Sequence, residues 1–198
     1  MARTIAKDHD LKRAQILKSA AKVFADAGYD RASMTQLARE CGISKANIYH
    51  YYDSKDAVLF GLLETYLSDL RDRVCELDLS GLEAEARLRR IVAEILLAYQ
   101  GADDEHQVQI SAMSALPEEQ QTLLRGYQRE LVTFMSDAIS AVAPEVFAGD
   151  AAKLRAATMS VFGMLNWYYM WNSGAGSDAR EAYADIVTTL TLNGVKGL

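Results

Sequence analysis

Residues 33–59 read SMTQLARECGISKANIYHYYDSKDAVL, and this stretch decides the fold. Ser33 and Gln36 have the S-x-x-Q spacing of a capping box, in which each side chain satisfies a free backbone N–H of the other residue. Met34, Leu37, Ala38 and Cys41 follow at i, i+3, i+4 and i+7, so a short helix is expected to end at Gly42. A second short helix is expected from Ser44 as N-cap to near Tyr52, with Ile48 facing back. Two short helices around a tight turn, with Leu37 and Ile43 bracketing Gly42, make the helix-turn-helix arrangement. Small Ala38 lets the helices approach, and Gly42 tolerates the positive φ that such a turn needs. The outward positions of the second helix are then Lys45, Ala46, Asn47, Tyr49, His50 and Tyr51. Lys and Asn can read base edges in a major groove, while Tyr hydroxyls and Lys ammonium groups suit phosphates.

The flanks are helical too. Upstream, Leu17, Ala20, Ala21, Phe24 and Ala25 form one apolar stripe, which predicts a first helix from about Asp10 to Ala27 ended by Gly28. Downstream, Ser54 and Asp56 open a long fourth helix carrying Val58, Leu59, Leu62, Leu63, Tyr66, Leu67, Leu70 and Val74. A fifth helix through Leu88, Ile91, Val92, Ile95 and Tyr99 is expected to stop at Gly101 and an Asp103-Asp104-Glu105 turn. A short sixth is expected over His106–Ala115, with His106 exposed at its start. Pro117 fits the first position of a seventh helix, which Pro144 closes; Asp150 and Asp178 are expected to cap an eighth and a ninth. Runs of alternating β-branched residues are almost absent, so the expected class is all-α, with about nine helices.

Composition agrees with a folded, water-soluble chain: 50% hydrophobic and 24% charged. No run approaches the roughly 18 apolar residues of a membrane span, and no signal or transit peptide is evident after the first charges, so no membrane role and a cytoplasmic location are expected. Cys41 and Cys75 are widely spaced, which suits a reducing compartment. The formal net charge of -6 is unevenly divided: residues 1–60 carry ten Lys and Arg against seven Asp and Glu, the remainder eleven against twenty. A basic head on an acidic body fits a protein whose head alone meets phosphate, because that attraction is screened over about 10 Å.

With these residues in view the N-terminal part resembles the TetR family of transcription regulators. The family pattern is met by Phe24 with Gly28-Tyr29, by Ser33-Met34 with Leu37-Ala38, by Gly42-Ile43-Ser44, by Tyr49-His50-Tyr51-Tyr52 and by Ser54-Lys55-Asp56, in register over residues 10–65. Tyr52 departs from it, since the family usually carries Phe there. The resemblance implies a helix-turn-helix DNA-binding domain over residues 1–54 and a ligand-binding, dimerising domain over 55–198. It implies that Lys45, Ala46, Asn47 and His50 line a DNA groove. It further implies that Ser33, Thr35, Tyr49, Tyr51 and Lys55 contact or position phosphates, with Ser44 at the start of the reading helix. Tyr49 and Tyr51 can also serve as core, and Ser33 can serve only as a cap. The implied partners are operator DNA, a small-molecule effector and a second copy of the chain, the last two helices pairing across the homodimer.

The segment FGMLNWYYMW, Phe162–Trp171, holds both tryptophans. Its apolar character all round fits core or dimer packing. Its G-M-x-N-W-x-x-x-W pattern is also similar to that of TetR-type regulators sensing acyl-coenzyme A thioesters, which gives Tyr99, Met113, Tyr127, Asn166 and Trp167 as candidate ligand residues. An amide on an apolar helix needs a partner, and a ligand can be one.

Enzyme chemistry finds little footing. No Glu-x-x-His pair, nucleophile elbow, P-loop or dinucleotide fingerprint occurs, and the cysteines lack zinc or redox spacing, so neither a metal nor a cofactor is expected. The alternative is a helical adaptor or small helical enzyme without a DNA role, which leaves the outward Lys45, Asn47, Tyr49 and His50 unexplained.

Overall fold

The structure, a computed structural model, describes residues 2–197. These form ten α-helices in the order α1 (Ala2–Ala27), α2 (Met34–Glu40), α3 (Lys45–Tyr49), α4 (Lys55–Cys75), α5 (Ala84–Ala98), α6 (Asp103–Ala112), α7 (Glu118–Val142), α8 (Pro144–Phe147), α9 (Ala151–Trp171) and α10 (Ser177–Val195), with a 3₁₀ turn at Met113–Ala115 after α6. No strand occurs among the described residues, so the chain is all-α. It divides into two compact units, one made of the chain through Leu67 together with Asp104–Leu124, the other of Ser68–Asp103 together with the chain from Arg125 onward.

The first unit is built on the stripe of α1. Ile16, Leu17, Ala20, Ala21 and Phe24 are buried with Leu37 and Ala38 of α2, Ile48 of α3, and Val58, Leu59 and Leu63 of α4. Burial of each large apolar side chain stabilises the unit by about 1.5–3 kcal/mol, which is what lets helices as short as α2 and α3 persist. α6 joins this unit through polar bonds. Lys18 Nζ lies 2.8 Å from Glu105 Oε1, Gln107 Nε2 donates to the Ala25 carbonyl at 3.2 Å, and Tyr66 Oη lies 2.9 Å from His106 Nδ1.

In the second unit α5 packs along α10, and α9 packs against both. α5 buries Leu88, Ile91, Val92, Ile95 and Leu96; α10 buries Ala184, Val187, Leu192 and Val195. Arg180, only 1% exposed, is held from three sides: Nε donates to the Ala175 carbonyl, one terminal nitrogen to the Leu96 carbonyl and the other to Asp103 Oδ1 at 3.1 Å. Asp103 Oδ2 in turn accepts from the Ser173 hydroxyl and the Gly174 N–H, so one carboxylate holds both Arg180 and the loop before α10. Glu94, also buried, receives Arg73 from α4 and Arg90 from its own helix.

Five expectations are corrected. The acidic Asp103-Asp104-Glu105 run opens α6 instead of forming a turn, because carboxylates in a first turn complement the helix dipole as well as they fit a loop. His106 therefore stands a full turn into the helix, is 3% exposed, and faces Tyr66. Pro144 closes α7 but also begins the single turn of α8, where its fixed φ is tolerated. α1 also extends back to Ala2, and α10 starts at Ser177 after Gly176, ahead of the expected cap Asp178.

Candidate nucleic-acid interface

The α2–α3 segment is organised by caps. The Ser33 N–H donates to Gln36 Oε1 at 2.8 Å and the Gln36 N–H donates to Ser33 Oγ at 3.2 Å, completing the capping box. The Ser44 hydroxyl accepts from the Asn47 N–H at 3.1 Å and caps α3. Gly42 sits between them at φ 64°, in open space, so backbone handedness selects glycine there. Cys41 and Ile48 turn inward while Ser33, Thr35, Ser44, Lys45, Ala46, Asn47, Tyr49 and His50 are all exposed. The Lys45 ammonium lies 5.8 Å from the centre of the Tyr49 ring, within cation–π range. No carboxylate occurs between Ser44 and Tyr52, so the outward face of α3 carries only donors, aromatics and one methyl group.

Tyr51 is half-buried in an aromatic group. The His50 ring meets it edge-on at 5.4 Å and the His9 ring of α1 approaches it at 4.9 Å. Tyr52 is buried beneath the Arg13 guanidinium, 5.2 Å above its ring, and its hydroxyl has no hydrogen-bond partner among the described residues. A methyl group on Gly61 would stand 3.1 Å from the edge of that ring, so glycine makes room for the Tyr52 side chain.

Lys55 stands apart from the other candidates. Its half-buried ammonium donates to the carbonyls of Tyr29, Asp30 and Ala32 at 2.8, 3.2 and 3.1 Å, and lies 4.3 Å from the Tyr29 ring centre. All three of its protons are thereby engaged with the loop between α1 and α2. The Tyr29 hydroxyl donates to Asp56, the next residue along α4. Burial, and then the Asp56 carboxylate, push the Tyr29 phenol above its ordinary ionisation range.

The small-molecule candidates are only partly assembled. In the second unit the buried Tyr99 hydroxyl donates to Asn166 Oδ1 at 2.8 Å, so these two do meet. Tyr127, half-buried, carries the Arg71 guanidinium 5.1 Å over its ring. Trp167, a candidate ligand residue that core or dimer packing also fitted, is 60% exposed. It follows Asn166 by one position, about 100° around the helix, which turns it away from Tyr99. Met113 opens the 3₁₀ turn of the first unit and is half-buried. Nothing in the neighbouring sequence marks the contacts of His9 with Tyr51, Arg13 with Tyr52 or His106 with Tyr66, since each partner lies some 40 residues away along the chain. No helix of the described residues is long and apolar enough to cross a membrane, and no three metal-ligating side chains gather among them.

Residues 16–62 match the family described as bacterial regulatory proteins, tetR family, and residues 81–195 match the tetracyclin repressor-like C-terminal domain. The chain superposes on the crystal structure of a TetR-family transcriptional regulator from Bordetella parapertussis 12822 with a TM-score of 0.86 and 36% identity, over 94% of this chain and 96% of that one. It shares the fold of AibR, solved in complex with isovaleryl coenzyme A and operator DNA, with a TM-score of 0.76 and 23% identity over 91% and 98% of the two chains. It is 30% identical to the HTH-type transcriptional repressor KstR2 of Rhodococcus jostii (strain RHA1) over 95 residues, 48% of this chain and 45% of that protein. The first curated relatives are thus matched over less than half of their own length. Both the head and the body of the chain, with a structural relative of 36% identity along nearly its whole length, make it a member of the TetR family of transcription regulators.

Proposed function

We propose that the chain is a ligand-responsive repressor that grips a palindromic operator as a homodimer and leaves it when a small molecule, an acyl-coenzyme A thioester, is bound. The observation that carries this reading is the capped, exposed α3, whose Lys45, Ala46, Asn47 and His50 present base-reading chemistry free of any carboxylate. Ser33, Thr35, Tyr49 and Tyr51 contact phosphate around it, with residues 1–54 as the DNA-binding domain and 55–198 as the effector and dimerisation domain. Lys55 leaves the set of phosphate contacts, since its three donors are spent on the α1–α2 loop.

Dimerisation runs through the last two long helices. Met159, Trp167, Met170 and Trp171 on α9 and Ile186 and Leu190 on α10 are exposed apolar side chains, and their spacing places each set on one stripe. Trp167 belongs to this stripe in our reading, which leaves Tyr99, Asn166 and Tyr127 as the effector candidates of the second unit, with Met113 a separate candidate in the first. The thioester class is supported by the likeness to AibR, whose structure holds isovaleryl coenzyme A and operator DNA. The protein works in the cytoplasm and catalyses no reaction.

The test is a gel shift on the DNA immediately upstream of its own gene, at fixed salt, with and without a panel of acyl-coenzyme A thioesters. Specific binding relieved by one thioester is the expected result. Binding indifferent to the whole panel removes the thioester, and failure to select any duplex from a random library removes the regulator and leaves an adaptor or enzyme.

A further inference from the structure

The aromatic group behind α3 points to a second DNA-contacting edge on the molecule. Tyr51 and Tyr52 follow directly on α3, and each holds a nitrogenous side chain of α1: His9 against Tyr51 at 4.9 Å, and Arg13 over Tyr52 at 5.2 Å. His9 and Arg13 are four residues apart and so share one face of α1. Both are exposed, although their rings and guanidinium rest on the tyrosines. Arg13 pairs with no carboxylate among the described residues, a condition it shares in this unit with Lys12, Arg31, Arg39, Lys45 and Lys55, whereas Lys18 and Lys22 do pair; of these arginines it is Arg13 that rests over an aromatic ring. An arginine that is oriented by a ring, open to solvent and left without an anion is poised to receive one.

We propose that Arg13 binds a backbone phosphate of the operator duplex and that His9 is the positioning residue that fixes this edge of α1 to the end of α3. The proposal rests on the DNA-binding reading above, because the edge adjoins the α3 face through Tyr51, which follows directly on that helix. The occupant is double-stranded DNA: Asp10 lies 3.8 Å from His9 and is the acidic group at this edge, but the adjoining α3 face is free of carboxylates, and a duplex offers a phosphate every few ångströms beside any groove that α3 enters. A phosphate contact of this kind raises affinity for every sequence alike and reads no base.

The salt dependence of binding to a duplex selected by the wild-type chain tests this. Each phosphate neutralised contributes about 0.9 to the slope of log K against log salt, equivalent to about 3.5-fold in affinity between 50 and 200 mM for each bound head. Arg13→Gln should lower the slope by that amount per head and weaken operator and unrelated duplex equally, while Arg13→Lys keeps the slope. His9→Phe, which retains a ring against Tyr51, should keep the slope as well, and His9→Ala should weaken binding without changing it. Melting curves of Arg13→Gln identify any loss that comes from misfolding, and a lowered slope in a variant that melts like wild type remains diagnostic. An unchanged slope in folded Arg13→Gln, alongside the loss of operator binding in Lys45→Ala, overturns the second edge and leaves the α3 interface standing. A wild-type chain that selects no duplex overturns both.

Discussion

Replacing Lys55 by methionine separates two roles that its position in the sequence cannot distinguish. The structure gives its ammonium three carbonyl partners at 2.8–3.2 Å and a ring at 4.3 Å. A hydrogen bond from a charged donor contributes about 1.5–3 kcal/mol net when lost alone. Three bonds that share one ammonium do not add fully, and the loop carbonyls regain water in the variant. The expected loss is therefore about 2–3 kcal/mol, including roughly 0.5–1 kcal/mol from the ring contact. In a chain of this length, 198 residues, that lowers the melting midpoint by about 5–10 °C. Thermal melts followed by circular dichroism read the stability, and operator binding across a salt series reads the phosphate contacts. The clamp predicts a lower midpoint with an unchanged salt slope. A midpoint equal to that of wild type, with a slope reduced by about 0.9 per head, would make Lys55 a phosphate ligand and not a loop clamp.

Tyr52→Phe removes a buried hydroxyl that has no partner among the described residues; it should raise stability by about 1 kcal/mol in urea titration, and a loss would show that the hydroxyl is satisfied. Arg180→Leu abandons the Asp103 carboxylate and two carbonyls, and should cost about 3–5 kcal/mol by the same measurement; a variant as stable as wild type argues against the clamp. Leu190→Asp on the exposed α10 stripe should yield a folded monomer in sedimentation, and a persisting dimer would move the interface elsewhere. Burial holds the Tyr99 phenol above its ordinary value, so above about pH 10 the unfolded chain releases a proton that the native chain keeps. Stability therefore falls as pH rises through that range, and the fall should be shallower by up to about 1.4 kcal/mol per pH unit in Tyr99→Phe; an identical slope contradicts the assignment.

The parts of the fold that could be read in advance are those encoded locally. Ser33, Gln36 and Ser44 cap helices within three residues of themselves, and Gly42 marks its own turn, so α2 and α3 stand where periodicity and cap chemistry put them. The stripe of α1 was legible for the same reason. Three side chains were not: His106 meets Tyr66 across 40 residues, Arg180 meets Asp103 across 77, and Lys55 reaches back 23 to 26 residues to its carbonyls. Their partners are fixed by packing, and nothing in the neighbouring sequence announces it. The acidic run at Asp103 misleads because Asp favours both turns and first helical turns, so its chemistry alone does not choose. The inward side of α9 was not legible because the helix is apolar around its whole circumference, and the burial of Val161, Leu165 and Tyr168 defines it.

The central claim is that α3 reads DNA, and the most direct measurement is the affinity of wild type and of Lys45→Ala, Asn47→Ala and His50→Ala for one selected duplex and for a scrambled one, at a single salt concentration. Each variant should keep its melting midpoint, since all three side chains are exposed, and lose most of the discrimination between the two duplexes. Loss of an Asn47 contact to a base edge should cost about 1–3 kcal/mol of that discrimination. Variants that fold normally and distinguish the duplexes as well as wild type does would contradict it.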